Sequence, residues 1–155
     1  MFTEEEFNNL VKTYMDTVFR LALNYVQCSH TADDITQNVF IKLLHSNKSF
    51  ENEDHIRYWL IRVTINESKK ILISPWRKTV PIEEYMETVS FPTQEHSDLF
   101  YAVMALPKKY RVVIYLHYYE GYSTEEISEL IGIPSATVRT QLKRGRALLK
   151  SGLEE

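Results

Sequence analysis

A single cysteine, Cys28, stands among 155 residues. It has no partner for an internal disulfide, and it suggests nothing about metal. Its expected role is a small buried apolar side chain. Glycine and proline are also scarce, at four and five residues, which argues for helices with few tight turns. No run of about eighteen apolar residues occurs, so no membrane span is expected. The opening residues MFTEEEF are acidic where a secretory leader is basic, so no export signal is expected and a cytoplasmic location fits. The five histidines, His30, His45, His55, His96 and His117, are scattered without metal-ligand spacing. There is no Gly-rich phosphate loop and no Ser-centred elbow. The chain is therefore read as a non-enzyme, with no catalytic residue, metal site or cofactor assigned. A hydrolase reading has only the Asp33–Asp34 pair to work with.

What is present describes a globular chain, 44% hydrophobic and 25% charged, sized for one ordinary domain or two small ones. Thr3 with Glu6 forms a capping box, and Leu10, Tyr14, Val18, Leu21 and Tyr25 recur at helical spacing, which predicts a helix over 4–28. Thr31 with Asp34 repeats the start signal, and Ile35, Val39 and Leu43 predict a second helix to about His45. The polar stretch SNKSFENED reads as a loop. Ile56, Leu60, Val63 and Ile71 then suggest a third helix over 54–73, with Trp59 on its apolar side. These helices are expected to share a core as a small domain, residues 1–73. Pro75, Pro81 and Pro92 interrupt residues 74–95, which read as a linker; Trp76 and Phe91 leave open a loop packed on one domain.

Residues 96–155 read as a second helical domain. A short helix around Phe100 ends at Pro107, and another ends near Gly121. Ser123 with Glu126 caps a short helix, GIP makes a turn, and SATVRTQLKRGRALLK begins the last helix. That stretch holds Arg139, Lys143, Arg144, Arg146 and Lys150 and no acid, although the whole chain is at −3. Val138, Leu142 and Leu149 share one face, and Arg139, Lys143, Arg146 and Lys150 an adjacent one. A capped helix, a tight turn and a basic amphipathic helix make a helix-turn-helix, whose second helix lies in the major groove. Bases in the last turns also complement the helix dipole, which accounts for Lys150 but not for Arg139 in the first turns. Two other readings remain: a stand-alone helix-turn-helix regulator, and a protein-binding helical module.

LPKKYRVVIYLHYYEGYSTEEISELIGIPSATVRTQLKRGRALLK, residues 106–150, resembles region 4 of bacterial RNA polymerase sigma factors. TADDITQNVFIKLL, residues 31–44, is similar to region 2.2, and IRYWLIRVTINESKKIL, residues 56–72, to regions 2.3–2.4. Two such regions and a short linker are the layout of the extracytoplasmic-function group. The resemblance implies an all-α protein of two small helical domains, a region 2 bundle and a region 4 helix-turn-helix. It implies binding to core RNA polymerase through the β′ clamp helices and the β flap, promoter DNA as second partner, and an anti-sigma factor as a third. Ser135, Thr137, Arg139, Thr140, Gln141, Lys143 and Arg144 match positions near −35 bases or phosphates. Gln141, Lys143 and Gly145 depart from common family residues, and Gly145 is expected to cost the helix up to about 1 kcal/mol. Asp34, Gln37, Asn38 and Ile41 match the clamp-binding helix; acidic residues there also suit a helix N-terminus. Asn66 matches a position beside the pocket for an unstacked −10 base. Phe50 is read as an aromatic wall for that base, as an anchor for its loop, or as both together, and Lys69 and Lys70 either steer phosphates or close a helix dipole.

Overall fold

The structure, a computed structural model, describes residues 2–73 and 94–154. The chain divides into two units within Met1–Val89 and Ser90–Glu155. The described residues are helical, with no strand among them.

In the first unit, α1 spans Glu4–Val26. Its capping box forms as the sequence requires: Glu6 N–H donates to Thr3 Oγ1 at 3.1 Å, and Thr3 N–H to Glu6 Oε1 at 2.9 Å. The helix stops two residues before the expected end. Gln27 adopts a left-handed conformation with φ 53° and closes the last turn with an N–H donated to Leu23 O. That reversal lets α2 begin at once, spanning Ser29–Leu44 with Cys28 at the cap. The expected Thr31 cap does not form, because Thr31 already lies inside the first turn. Its hydroxyl donates instead to the buried Cys28 Sγ at 3.2 Å. Helix α3 spans Glu53–Leu72, capped by Asn52 Oδ1, which accepts from His55 N–H at 2.9 Å.

Helix α1 packs on both α2 and α3, which also meet each other. Val18, Leu21 and Tyr25 from α1, Ile35, Val39 and Leu43 from α2, and Leu60, Ile61 and Ile65 from α3 are buried between them. The α3 stripe differs from the expected one. Val63 and Ile71 are half-buried, whereas Leu60, Ile61, Thr64, Ile65 and Ser68 face the core. Two polar residues disguise that stripe in the sequence. Thr64 tolerates burial because its hydroxyl donates to Leu60 O at 2.6 Å within its own helix.

The second unit runs through α4 (Gln94–Met104), α5 (Lys108–Ile114) with a π-helical turn (Tyr115–Tyr119), α6 (Thr124–Ile131) and α7 (Ser135–Glu154). Helix α4 therefore includes residues 94 and 95, which the sequence reading gave to the linker; the rest of that linker, with Trp76 and Phe91, lies outside the described residues. The Ser123–Glu126 capping box starts α6, and Gly132, at φ 76°, ends it in a conformation that L side chains rarely adopt. Phe100, Val103, Val113, Ile114, Leu116, Ile127, Val138 and Leu142 form the core.

Gly145 has a packing role that its helix propensity hides. A Cβ there would lie 3.0 Å from Ile114 Cγ1 and 3.3 Å from Tyr110 Cβ. The missing side chain lets α7 approach α5 closely, which offsets the propensity cost.

Candidate nucleic-acid interface

In the second unit, α6, the Gly132 turn and α7 form the helix-turn-helix. Burial of Val138, Leu142 and Gly145 fixes the rotation of α7. Thr137, Arg139, Thr140, Lys143, Arg144, Arg146 and Lys150 are consequently exposed, while Ser135 and Gln141 are half-buried. Arg139 Nη1 lies 3.9 Å from Glu125 Oε1 on α6, with both side chains more than half exposed. A long, solvated pair of this kind contributes little stability and leaves Arg139 available to a ligand. The Glu125 carboxyl is held below its ordinary value by its own backbone N–H, then by the Thr124 hydroxyl, with Arg139 adding a smaller pull. Thr140 donates its hydroxyl to Ala136 O at 3.1 Å. Arg146 Nη1 donates to the exposed Tyr118 hydroxyl at 2.9 Å. Tyr118, 53% exposed in the π-helical turn between the half-buried His117 and Tyr119, was not singled out in the sequence.

In the first unit, Asp34, Gln37, Asn38 and Ile41 all stand exposed at i, i+3, i+4 and i+7 of α2, one continuous strip. Ile41 is 51% exposed and Leu44, one turn on, 45%. Two large apolar side chains beside polar ones give the strip a surface suited to a protein partner. Leu44 was not singled out in the sequence, where only Ile35, Val39 and Leu43 were read as the apolar face of this helix.

Phe50 is half-buried in an aromatic cluster. It stacks on Phe2 at 6.0 Å between ring centroids and meets Trp59 and His55 edge-on at 5.8 and 5.2 Å. These contacts fasten the 45–52 loop to the chain just before α1 and to the first turns of α3. Trp59 is half-buried in this cluster, not in the central core.

Asn66, Lys69 and Lys70 are exposed near the end of α3. They line an open cavity of about 390 Å³ together with Lys42, Val63 and Glu67. Phe50 is not among the residues that line it. Lys42 reaches from α2 to donate to Glu67 Oε1, and Lys70 Nζ lies 3.4 Å from the same oxygen. Burial pushes the Glu67 carboxyl up, but Lys42 and Lys70 outweigh it and leave the group below its ordinary value of 4.5. Glu67 is thus ionised at neutral pH. Sequence reasoning missed Lys42 and Glu67, because their pairing joins residues 25 apart.

Among the described residues, no group of three or more His, Cys, Asp or Glu side chains is placed to hold a metal ion. None of their helices is long and apolar enough to cross a membrane.

Two exposed surfaces of different character, first a polar–apolar helix beside a lysine-rich cavity and then a basic helix-turn-helix, thus follow one another along the chain. The model of sigma-70 region 2 matches residues 10–77, and that of sigma-70 region 4 matches residues 97–149. The chain belongs to the sigma-70 family. It is an RNA polymerase sigma factor of the extracytoplasmic-function group. This sigma factor is 30% identical to the sigma factor SigV of Bacillus subtilis over 135 residues, covering 85% of this chain and 81% of that one. It is 27% identical to the extracytoplasmic-function factor SigW of the same organism, covering 98% and 91%. Its fold is that of the sigma factor RpoE of Bartonella quintana, solved in complex with the anti-sigma factor NepR, with a TM-score of 0.72 at 19% identity over 97% of this chain and 98% of that one.

Proposed function

We propose that this sigma factor divides promoter recognition between its two units. Residues 96–155 act as region 4 and hold the −35 element as duplex. Arg139, Thr140 and Lys143 face bases, while Ser135, Thr137, Gln141 and Arg144 lie near bases or phosphates. Residues 1–73 act as region 2. The strip Asp34, Gln37, Asn38 and Ile41 docks on the β′ clamp helices of core polymerase, and the second unit also packs on the β flap. Asn66 recognises an unstacked −10 base through its paired amide donor and acceptor, with Lys69 and Lys70 on the adjoining backbone. Phe50 supports this half by fastening its loop.

The single observation that supports this division best is the opposite use of charge in the two units. An exposed cationic helix face suits duplex phosphates and base edges. A cavity that combines an amide with lysines suits one nucleotide lifted from a strand. The chain acts as a binding factor, and nucleotide chemistry resides in the polymerase; its place is the cytoplasm, where promoter DNA is. An anti-sigma factor is the natural inhibitor, because the clamp-binding strip stands open.

Run-off transcription with core polymerase and a promoter library tests the reading. Start sites should depend on this chain and share a −35 and a −10 element. Transcription by core enzyme unaltered by the chain, together with duplex binding by the chain alone, would instead indicate a simple DNA-binding regulator.

A further inference from the structure

Lys42, on α2, and Glu67, on α3, have no part in the division described above. Lys42 lies outside the clamp-binding strip, one residue past Ile41, yet its ammonium is drawn across to α3. Glu67 is unusual among the acids of this unit, with a side chain only 14% exposed and two lysines on one carboxylate oxygen. Two ammonium groups brought to one oxygen repel each other, and neither is held there without an anion between them. The cavity they share with Asn66 and Lys69 is open to solvent and has three lysines against one carboxylate. Lys42 and Lys70 by themselves outweigh the single Glu67 charge.

An ammonium has three N–H donors, and Glu67 occupies one on each lysine. The remaining donors of Lys42 and Lys70 are available toward the cavity. We propose that this cavity seats one phosphodiester of the melted strand, with Lys42 and Lys70 as its donors and Glu67 as the positioning residue that holds the two ammoniums together before DNA arrives. The assignment rests on the region 2 reading above and extends it to a second helix. One consequence is a physical link between the clamp-docking helix and the strand-holding helix. A second is a sign that distinguishes positioning from competition. If Glu67 only competed with phosphate, removing its charge would strengthen binding. As a positioning residue, its neutralisation weakens binding although the protein becomes more positive.

The test uses holoenzyme assembled from core polymerase and the full chain, titrated with a single-stranded −10 oligonucleotide at several salt concentrations. Lys42→Gln should lower the slope of log affinity against log salt by about 0.7, the value for one phosphate contact on a single strand. Glu67→Gln should weaken binding, and Glu67→Asp should restore part of it. A set of oligonucleotides, each with one neutral methylphosphonate linkage, then locates the seat. At one linkage wild type should lose affinity and Lys42→Gln should lose less, because only the Lys70 contact is left to lose. An unchanged slope for Lys42→Gln, or tighter binding by Glu67→Gln, overturns the seat while the region 2 reading stands. Failure of wild-type holoenzyme to bind the strand at all overturns both, and core-binding titrations of each variant exclude loss of assembly as the cause.

Discussion

In α7 five bases follow one another without an acid, and most point straight into solvent. In α3 Lys69 and Lys70 follow Glu67, whose carboxylate is shared with Lys42 from another helix. Both arrangements suit nucleic acid, but they use charge differently. The first is a surface made by one helix and stiffened by packing beneath it. The second is a cavity made by two helices and organised by an internal anion. A duplex presents a continuous rod of phosphates, for which an open face is sufficient. A lifted nucleotide presents one base and its neighbouring phosphates, for which a cavity with fixed donors is needed.

The largest expected effect separates the two units. Leu21 is fully buried in the first core. Leu21→Ala should destabilise that unit by about 2–5 kcal/mol through lost apolar burial and a cavity. Amide exchange should accelerate throughout α1–α3 while protection in α4–α7 holds. Equal loss in both units would mean that they unfold together, and the comparison would lose its basis.

Gly145 probes the packing under the basic face. Gly145→Leu should cost about 1–3 kcal/mol by overpacking against Ile114 and Tyr110. A denaturant titration that follows the second unit should record it, and −35 affinity should fall with it. An unchanged midpoint would show that Ile114 yields easily and that the close approach is incidental.

Arg139→Ala should cost about 1–3 kcal/mol at one base position if the guanidinium forks onto a guanine. Selection from a randomised −35 library should show relaxed preference there, whereas Arg144→Ala should weaken all sequences alike. Unaltered selectivity would remove Arg139 from base reading.

The smallest effect concerns the Glu67 bridge in the free protein. Its carboxyl is depressed below 4.5, so the bridge contributes stability above that pH and loses it as pH falls through the lowered value. The stability gap between wild type and Glu67→Gln should therefore be present at neutral pH and close in strong acid. A gap that persists in acid would assign the effect to packing of the side chain instead of its charge.

Much of the second unit was legible before any coordinates. Its capping box, its turn glycine and the alternation of buried and basic positions in α7 are local signals, each written within one or two turns. The exposed strip of Asp34, Gln37, Asn38 and Ile41 on α2 was legible for the same reason. The cavity was only half legible. Asn66, Lys69 and Lys70 lie on one helix, but Lys42 and Glu67 become partners only when α2 packs on α3. Phe50 shows the converse difficulty. An aromatic in a polar loop signals a function, an anchor or both, and its partners Phe2, His55 and Trp59 become visible only once the loop is folded back on the helices. Gly145 misled because propensity is a property of one helix, while its use lies between two.

Strand opening tests the central claim most directly, because the account gives duplex holding and strand holding to different units. Permanganate footprinting of holoenzyme on one promoter measures both at once when read beside protection of the −35 element. Wild type should make −10 thymines reactive and protect the −35 duplex. Asn66→Ala should leave −35 protection intact and reduce −10 reactivity. Arg139→Ala should diminish −35 protection. Equal −10 reactivity for wild type and Asn66→Ala, at equal −35 occupancy, would contradict the division of labour.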